Sequence, residues 1–352
     1  MSFVPPRCPE RCCEAHRQPK GVWFRRVGYY ESKCRTEPIQ RFRCRLCGRG
    51  FSRQTFRHDC GDRKPDCNEP LLKLLTSGVG LRQAGRVVGL DIHSVQGKLR
   101  KFARTLRLLH SNLSTRLPAG RTFVLDEEET FEQDKIWPLT MPVLIERETW
   151  FVVAATAGPI RRLARRRSHR RKRQDAHERE NGRRADESRI CVKDTLLELK
   201  LRLGCGKLTL HSDEKSSYQT LVRQVFGEAA THERTPGSAP RSVSNPLFPI
   251  NTTLAMTRDN NGRLRRRSWL VSKKCRCLIQ QMRLFLVYRN YMRRRFNRDG
   301  LEDTPAKFLG LLPRALRGHE ALAWRQDWGS LSPHPMSPTG QRTVREKLPM
   351  AA

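Results

Sequence analysis

Three stretches of the sequence hold residue types suited to chemistry at phosphorus: Phe123-Val124-Leu125-Asp126-Glu127-Glu128, then Leu208-Thr209-Leu210-His211-Ser212-Asp213-Glu214, and Met256-Thr257-Arg258-Asp259 leading into Arg263-Leu264-Arg265-Arg266-Arg267. In the first two, a short β-branched or leucine-rich run stops on an aspartate, the pattern of a buried central strand whose end opens onto a site. Two such strand ends, with a further acid on a helix, can gather carboxylates around Mg2+. Hard divalent cations take oxygen ligands, and two held together clamp the attacking and leaving oxygens of an in-line phosphoryl displacement. The chemistry this suggests is that of nucleic-acid strands.

Composition narrows the partner. The 352 residues include 70 Lys+Arg against 35 Asp+Glu, a formal net charge of +35. Such an excess creates a field that attracts polyanions and makes binding strongly salt-dependent, so DNA or RNA is expected. A membrane is not, because the longest uncharged apolar stretch, Trp150 to Ile160, is too short to span a bilayer. Met1 to Cys13 has no apolar core and reads as no secretory signal. Of the twelve cysteines, eight precede residue 68; clustered this way in a reducing compartment, cysteines are more often metal ligands than disulfides.

Two cysteine knuckles stand in the first segment, Cys8-Pro9-Glu10-Arg11-Cys12 and Cys44-Arg45-Leu46-Cys47-Gly48. Tetrahedral zinc takes four thiolates from two such turns and stabilises strands too short to bury a core of their own. The spacing predicts a structural Zn2+ on Cys8, Cys12, Cys44 and Cys47, with Cys13 able to replace Cys12. No spacing recommends Cys34, Cys60 and Cys67 as a second site. Pro70 to Leu109 then shows three apolar stripes at helical spacing: Leu71, Leu72, Leu74 and Leu75; Leu81, Ala84, Val87 and Val88; and Val95, Leu99, Phe102 and Leu106. Gly89-Leu90-Asp91 is a tight turn whose aspartate can cap the third helix. This is helix-turn-helix punctuation, with a plain three-helix bundle as the alternative. His93, Ser94, Gln96, Lys98, Arg100 and Lys101 on the polar side of the third helix suit the major groove and its phosphates.

From Arg121 the pattern changes to strands at Thr122 to Leu125, Pro142 to Ile145 and Thr149 to Ala154. Arg161 to Arg184 contributes twelve Lys/Arg, either a flexible insertion or a basic helix along a phosphate backbone. A helix over Val192 to Leu203, a strand ending at Asp213, a helix over Tyr218 to Phe226, a short run closed by His232 and a helix from Thr252 follow. Three consecutive strands make an antiparallel meander, and the crossing helix permits the fourth to pair parallel with the first, bringing Asp126 beside Asp213. The expected fold is α/β: a mixed-sheet core preceded by a zinc-ribbon-like module and a helix-turn-helix bundle. The expected boundaries are 1–68 for the zinc module, 69–112 for the helical bundle, 121–297 for the core with its insertion at 161–184, and 298–352 for an appendage and disordered tail.

The ordered series of Cys44-x-x-Cys47-Gly48-Arg49-x-Phe51-Ser52, the helix-turn-helix, Leu125-Asp126-Glu127, His211-Ser212-Asp213-Glu214, Asn245-Pro246-Leu247-Phe248-Pro249-Ile250-Asn251, and Arg263-Leu264-Arg265-Arg266-Arg267-Ser268-Trp269-Leu270-Val271-Ser272-Lys273 with Tyr288-Arg289-Asn290-Tyr291 resembles a bacterial insertion-sequence transposase of the DDE class, over most of residues 8 to 297. That resemblance implies an RNase-H-like catalytic core in which Asp126 and Asp213 bind Mg2+ (or Mn2+) with a third acid. The family's third acid is usually a late glutamate; none occurs from Leu254 to Phe296, and Asp259 is the best-placed substitute, with Glu233 weaker. Glu127, Glu128 and Glu129 read as solvated or outer-layer acids and His211 as a packed strand residue. Arg258, Arg263, Arg265, Arg266, Arg267 and Lys273 would hold phosphates. The implied activity is metal-dependent cleavage and strand transfer of double-stranded DNA, at element ends and target, by a homo-oligomer in the bacterial cytoplasm and nucleoid. The alternatives are a catalytically decayed DNA-binding descendant and a basic nucleoid or RNA-binding protein with no defined site.

Overall fold

A computed structural model describes residues 3–115, 117–204, 206–240, 242–264 and 270–324. After a helical turn, α1 (Glu14–Arg17), the chain forms an antiparallel sheet of β1 (Phe24–Tyr30), β2 (Ile39–Cys44) and β3 (Gly50–Ser52) in that order. Trp23, Phe42, Phe51 and Phe56 pack beneath it, with Trp23 and Phe42 stacked on Phe51 at ring-centroid distances of 5.8 and 5.6 Å. Three of the eight buried residues in this small core are cysteines, so apolar burial alone gives the module little stability.

Three helices follow, α2 (Asn68–Thr76), α3 (Leu81–Val88) and α4 (Ile92–Leu113). Gly89 ends α3 in the left-handed region at φ 65°, and the Asp91 side chain accepts from the backbone N–H groups of His93 and Ser94 to start α4. A side chain at Gly85 would come within 2.6 Å of the Leu90 carbonyl oxygen, which is how tightly the turn folds back on α3. Val87 is exposed and not in the apolar stripe as expected. Helix α4 is 22 residues long because its apolar period continues past Leu106 through Leu109 to Leu113. Its second half leaves the bundle: buried His110 donates from Nε2 to the Val153 carbonyl and accepts at Nδ1 from the Tyr291 hydroxyl, each at 2.9 Å.

The larger sheet contains β4 (Thr122–Phe131), β5 (Pro138–Glu146), β6 (Val152–Ala155), β8 (Leu208–Asp213) and β9 (Ala230–Thr235) in the order β6-β5-β4-β8-β9, with β7 (Gly158–Pro159) extending along β5. β4, β5 and β6 pair antiparallel, whereas β8 pairs parallel with both β4 and β9. The expected meander and crossover are therefore present. Around the sheet lie α5 (His169–Asn181), α6 (Ser188–Leu203), α7 (Ser216–Phe226), α8 (Phe248–Asn260), α9 (Cys275–Val287), α10 (Pro305–Phe308) and α11 (Gly318–Ala323). All nine residues of β5 are buried, as expected of a central strand covered on both faces.

Several expectations change. β4 does not stop at Asp126 but continues to Phe131, because β5 goes on pairing with it through Phe131↔Pro138. Of the two forms expected for the basic insertion it takes the helical one, α5, where Arg161–Glu178, Arg171–Asp175 and Arg173–Asp134 ion pairs engage three of its twelve cations. One apolar core runs from Leu71 to Trp324, so the helical bundle and residues 298–324 pack onto the sheet unit and have no separate core.

Candidate functional site

β4 and β8 pair at Thr122↔Thr209, Phe123↔Leu210 and Val124↔His211 and then part, β4 following β5 and β8 following β9 to Asp213↔Thr235. Continued at the same offset, that register sets Asp126 level with Asp213. Parallel strands that diverge at their carboxyl ends leave a crevice, here a cleft of about 390 Å³ whose lining includes Asp126, Glu127, Glu128, Asp213, Asn251 and Arg258. The Asp126 carboxylate accepts from the Glu127 N–H at 2.7 Å, and Asp213 from the Lys215 N–H at 3.0 Å. Burial, reinforced by the charges of Asp213, Glu127 and Glu128, pushes the Asp126 carboxyl up to about 6 despite its hydrogen bond.

Side chains alternate along β4, so Glu127 and Glu128 face opposite ways. Of the two readings given for them, solvated or outer-layer, the first does not hold for either: their side chains are 7% and 4% exposed. Glu128 enters the cleft and pairs with Arg258 of α8. Glu127 points toward α6 and α7, accepting from Thr140 Oγ1 (2.6 Å), Ser188 Oγ (2.9 Å), Tyr218 OH (2.8 Å) and Lys215 Nζ. Burial raises its pKa, but Lys215 and the hydroxyl donors outweigh that and hold it below the ordinary glutamate value. Period-two alternation in Asp126-Glu127-Glu128 was the sequence signal for these opposed roles; nothing in the spacing pointed to Lys215, Ser188 or Tyr218.

Asp259 is not brought to this cleft. Helix α8 presents Asn251, Leu254 and Arg258 to it; Asp259, one residue on and about 100° around the helix, is exposed and absent from the lining. Glu233 is also exposed, 3.4 Å from His211 Nδ1, while His211 is buried in its strand as expected.

In the amino-terminal module the sulfurs of Cys8, Cys13, Cys44 and Cys47 lie within 4.8 Å of one another and could hold a metal ion such as zinc. Cys12 is exposed and outside this set: after Cys8 the chain turns so that Cys13, beside α1, faces Cys44 at 3.8 Å, with Cys8 and Cys47 at 3.6 Å. Gly48 closes the second knuckle at φ 71°, donating its N–H to the Cys44 carbonyl; that conformation favours glycine.

The residues expected to meet DNA do not form one set. His93, Gln96 and Arg100 are exposed and Ser94 half-buried on α4. Lys98 is instead buried and bonds Asp62, Asn68 and the Lys64 carbonyl, while Lys101 bonds Asp62 and the Cys60 carbonyl. These two lysines fasten residues 60–68 to α4 because Asp62 would otherwise be an unpaired buried charge. Gln96, Arg263 and exposed Lys273 line one groove of about 980 Å³ together with Arg82 and Arg86 of α3. Arg258 is engaged by Glu128, and Arg265, Arg266, Arg267 and Trp269 lie outside the described residues. No protein-family model and no curated protein matches the chain. No helix among the described residues is long and apolar enough to cross a membrane.

Proposed function

We propose that this chain is a DNA transposase whose sheet unit is an RNase-H-like catalytic core, whose four clustered cysteines bind structural zinc, and whose α3–α4 turn and adjoining groove bind DNA. One observation carries the reading: Asp126 and Asp213 sit level where two neighbouring parallel strands part, lining a cleft that a phosphodiester can enter. The sheet order, with three antiparallel strands followed by two parallel ones beside the first, supports it, as does a net charge of +35.

In this reading Asp126 and Asp213 are the cleft carboxylates that would take Mg2+ or Mn2+. Mg2+ is commonly held by one or two carboxylates plus substrate phosphate, and a cation would relieve the burial and repulsion that push the Asp126 carboxyl up to about 6. Divalent ions there supply activation of water and charge stabilisation at phosphorus. Asp126 and Asp213 would hold them, each oriented by a backbone N–H. Arg263 and Lys273, with Arg82 and Arg86, would grip the DNA backbone in the groove beside α3. Hydrolysis at an element end frees a 3′ hydroxyl, which then attacks target DNA; no covalent bond to the protein is needed.

The test is Mg2+- or Mn2+-dependent nicking of DNA bearing the element's terminal inverted repeats. Asp126→Asn and Asp213→Asn should each lower the rate on the order of 10²–10³-fold, the scale of removing one principal stabiliser of transition-state charge. The placement of Asp259 outside the cleft favours a second reading, a transposase-derived DNA-binding protein that has lost catalysis. That reading expects repeat-specific binding with no metal-dependent nicking.

A further inference from the structure

Among the described residues, two buried acids adjoin the aspartates without doing the same work, and Glu127 has a feature that the proposed chemistry does not itself require. Its two carboxylate oxygens accept from four donors on three elements and one strand-end residue: Thr140 of β5, Ser188 of α6, Tyr218 of α7, and Lys215 just after β8. Four bonds fill the lone-pair sites of a carboxylate, so Glu127 has nothing left with which to bind a cation. Lys215 uses two of its three ammonium donors in the same cluster, on Ser188 Oγ at 2.8 Å and on Glu127.

The backbone of this same ion pair holds both aspartates. The N–H of Glu127 donates to Asp126, and the N–H of Lys215 donates to Asp213. Past Val124 and His211 no ladder hydrogen bonds join β4 to β8, so the strands could spread where the aspartates stand. The Glu127–Lys215 pair crosses that gap; Glu127 borders the same cleft as the aspartates, with its carboxylate turned to Ser188, Lys215 and Tyr218. Resting on the reading of the cleft as a divalent-cation site, we propose that Glu127 and Lys215 form a positioning clasp that fixes the separation of Asp126 and Asp213, and that neither touches metal or DNA. With Glu127 buried and Lys215 half-buried, the pair is weak as a source of stability, since dehydrating charge offsets much of the attraction; its value here lies in a fixed geometry, and carboxylates must be held to about 0.5 Å to act together.

The experiment measures Mn2+ affinity of the full-length protein by calorimetry, without DNA, alongside thermal melting and the kcat and KM of nicking. Glu127→Gln, which keeps the shape, and Lys215→Met should each weaken Mn2+ binding on the order of tenfold at temperatures where the protein is fully folded, with KM for DNA unchanged. Lys215→Arg, which keeps the charge, should recover most of it. The double variant Glu127→Gln/Lys215→Met should lose no more than either single one, because both break one interaction. Mn2+ affinity within twofold of the parent in Glu127→Gln, or losses that add in the double variant, would overturn the clasp; should Lys215→Met fail to fold, Glu127→Gln alone decides. Asp126→Asn and Asp213→Asn separate the two levels: if they abolish Mn2+ binding while Glu127→Gln does not weaken it, only the clasp fails, and if they too leave it intact, the cation site fails and the clasp with it.

Discussion

Replacing Cys13 with serine should weaken zinc binding by the amino-terminal module, whereas the same change at Cys12 should leave it unchanged. A tetrahedral zinc with bonds of about 2.3 Å sets its sulfurs about 3.8 Å apart, and the Cys8–Cys47 and Cys13–Cys44 sulfur pairs already stand at 3.6 and 3.8 Å. Cys12 is exposed and outside the cluster. Structural zinc contributes about 10–16 kcal/mol in small modules, so one thiolate of four accounts for roughly 3 kcal/mol, or on the order of 100-fold in affinity. Because three of the eight residues in the module's core are themselves cysteines, metal loss should also loosen the packing of Trp23. Competition with a chromogenic chelator gives the zinc affinity of the full-length variants, and near-ultraviolet circular dichroism follows the tryptophan. Equal weakening by both substitutions, or none by Cys13→Ser, refutes the four-sulfur site as described.

Two further outcomes follow from the electrostatics. The Asp126 carboxyl sits at about 6 in the folded protein against an ordinary value of 3.8. Folding therefore favours its protonated form: that contribution is fully present below about pH 4 and lost as pH rises through about 6. In divalent-free buffer Asp126→Asn should thus be more stable than the parent at pH 8, by at most about 3 kcal/mol, and the gap should close near pH 4; urea melts at the two pH values check this, and a gap independent of pH counts against it. Lys98→Ala, which removes a partner from buried Asp62, should cost about 2–3 kcal/mol of stability, while exposed Arg100→Ala should leave melting unchanged and lower the salt slope of DNA binding by about 1. A loss of DNA affinity in Lys98→Ala at temperatures far below its melting point would show that Lys98 faces DNA after all.

The strand order and the meeting of Asp126 with Asp213 were legible because hydrophobic runs mark central strands and a helical crossover restricts where the next strand can pair. Helix-turn-helix punctuation was legible for a similar reason, since Gly89 and Asp91 act locally. What the sequence hid was set by partners distant along the chain. Lys98 reads as a polar helix position, yet Asp62, 36 residues away, draws it inside. Glu127 and Glu128 resemble solvated acids until α6, α7 and α8 close over them. Cys12 and Cys13 are indistinguishable by spacing, and the choice falls to the direction the chain takes into α1. Asp259 was expected at the cleft from the family resemblance, but helix phase puts Arg258 there.

Helix α4 spans 22 residues, about 33 Å at 1.5 Å per residue. At one end lie the exposed His93 and Gln96, and at the other His110 is locked into the sheet by Val153 and Tyr291. A rod of that length matches about ten base pairs of duplex at 3.4 Å each. Under the proposed function one continuous helix would tie the residues expected to read sequence to the sheet that carries Asp126 and Asp213.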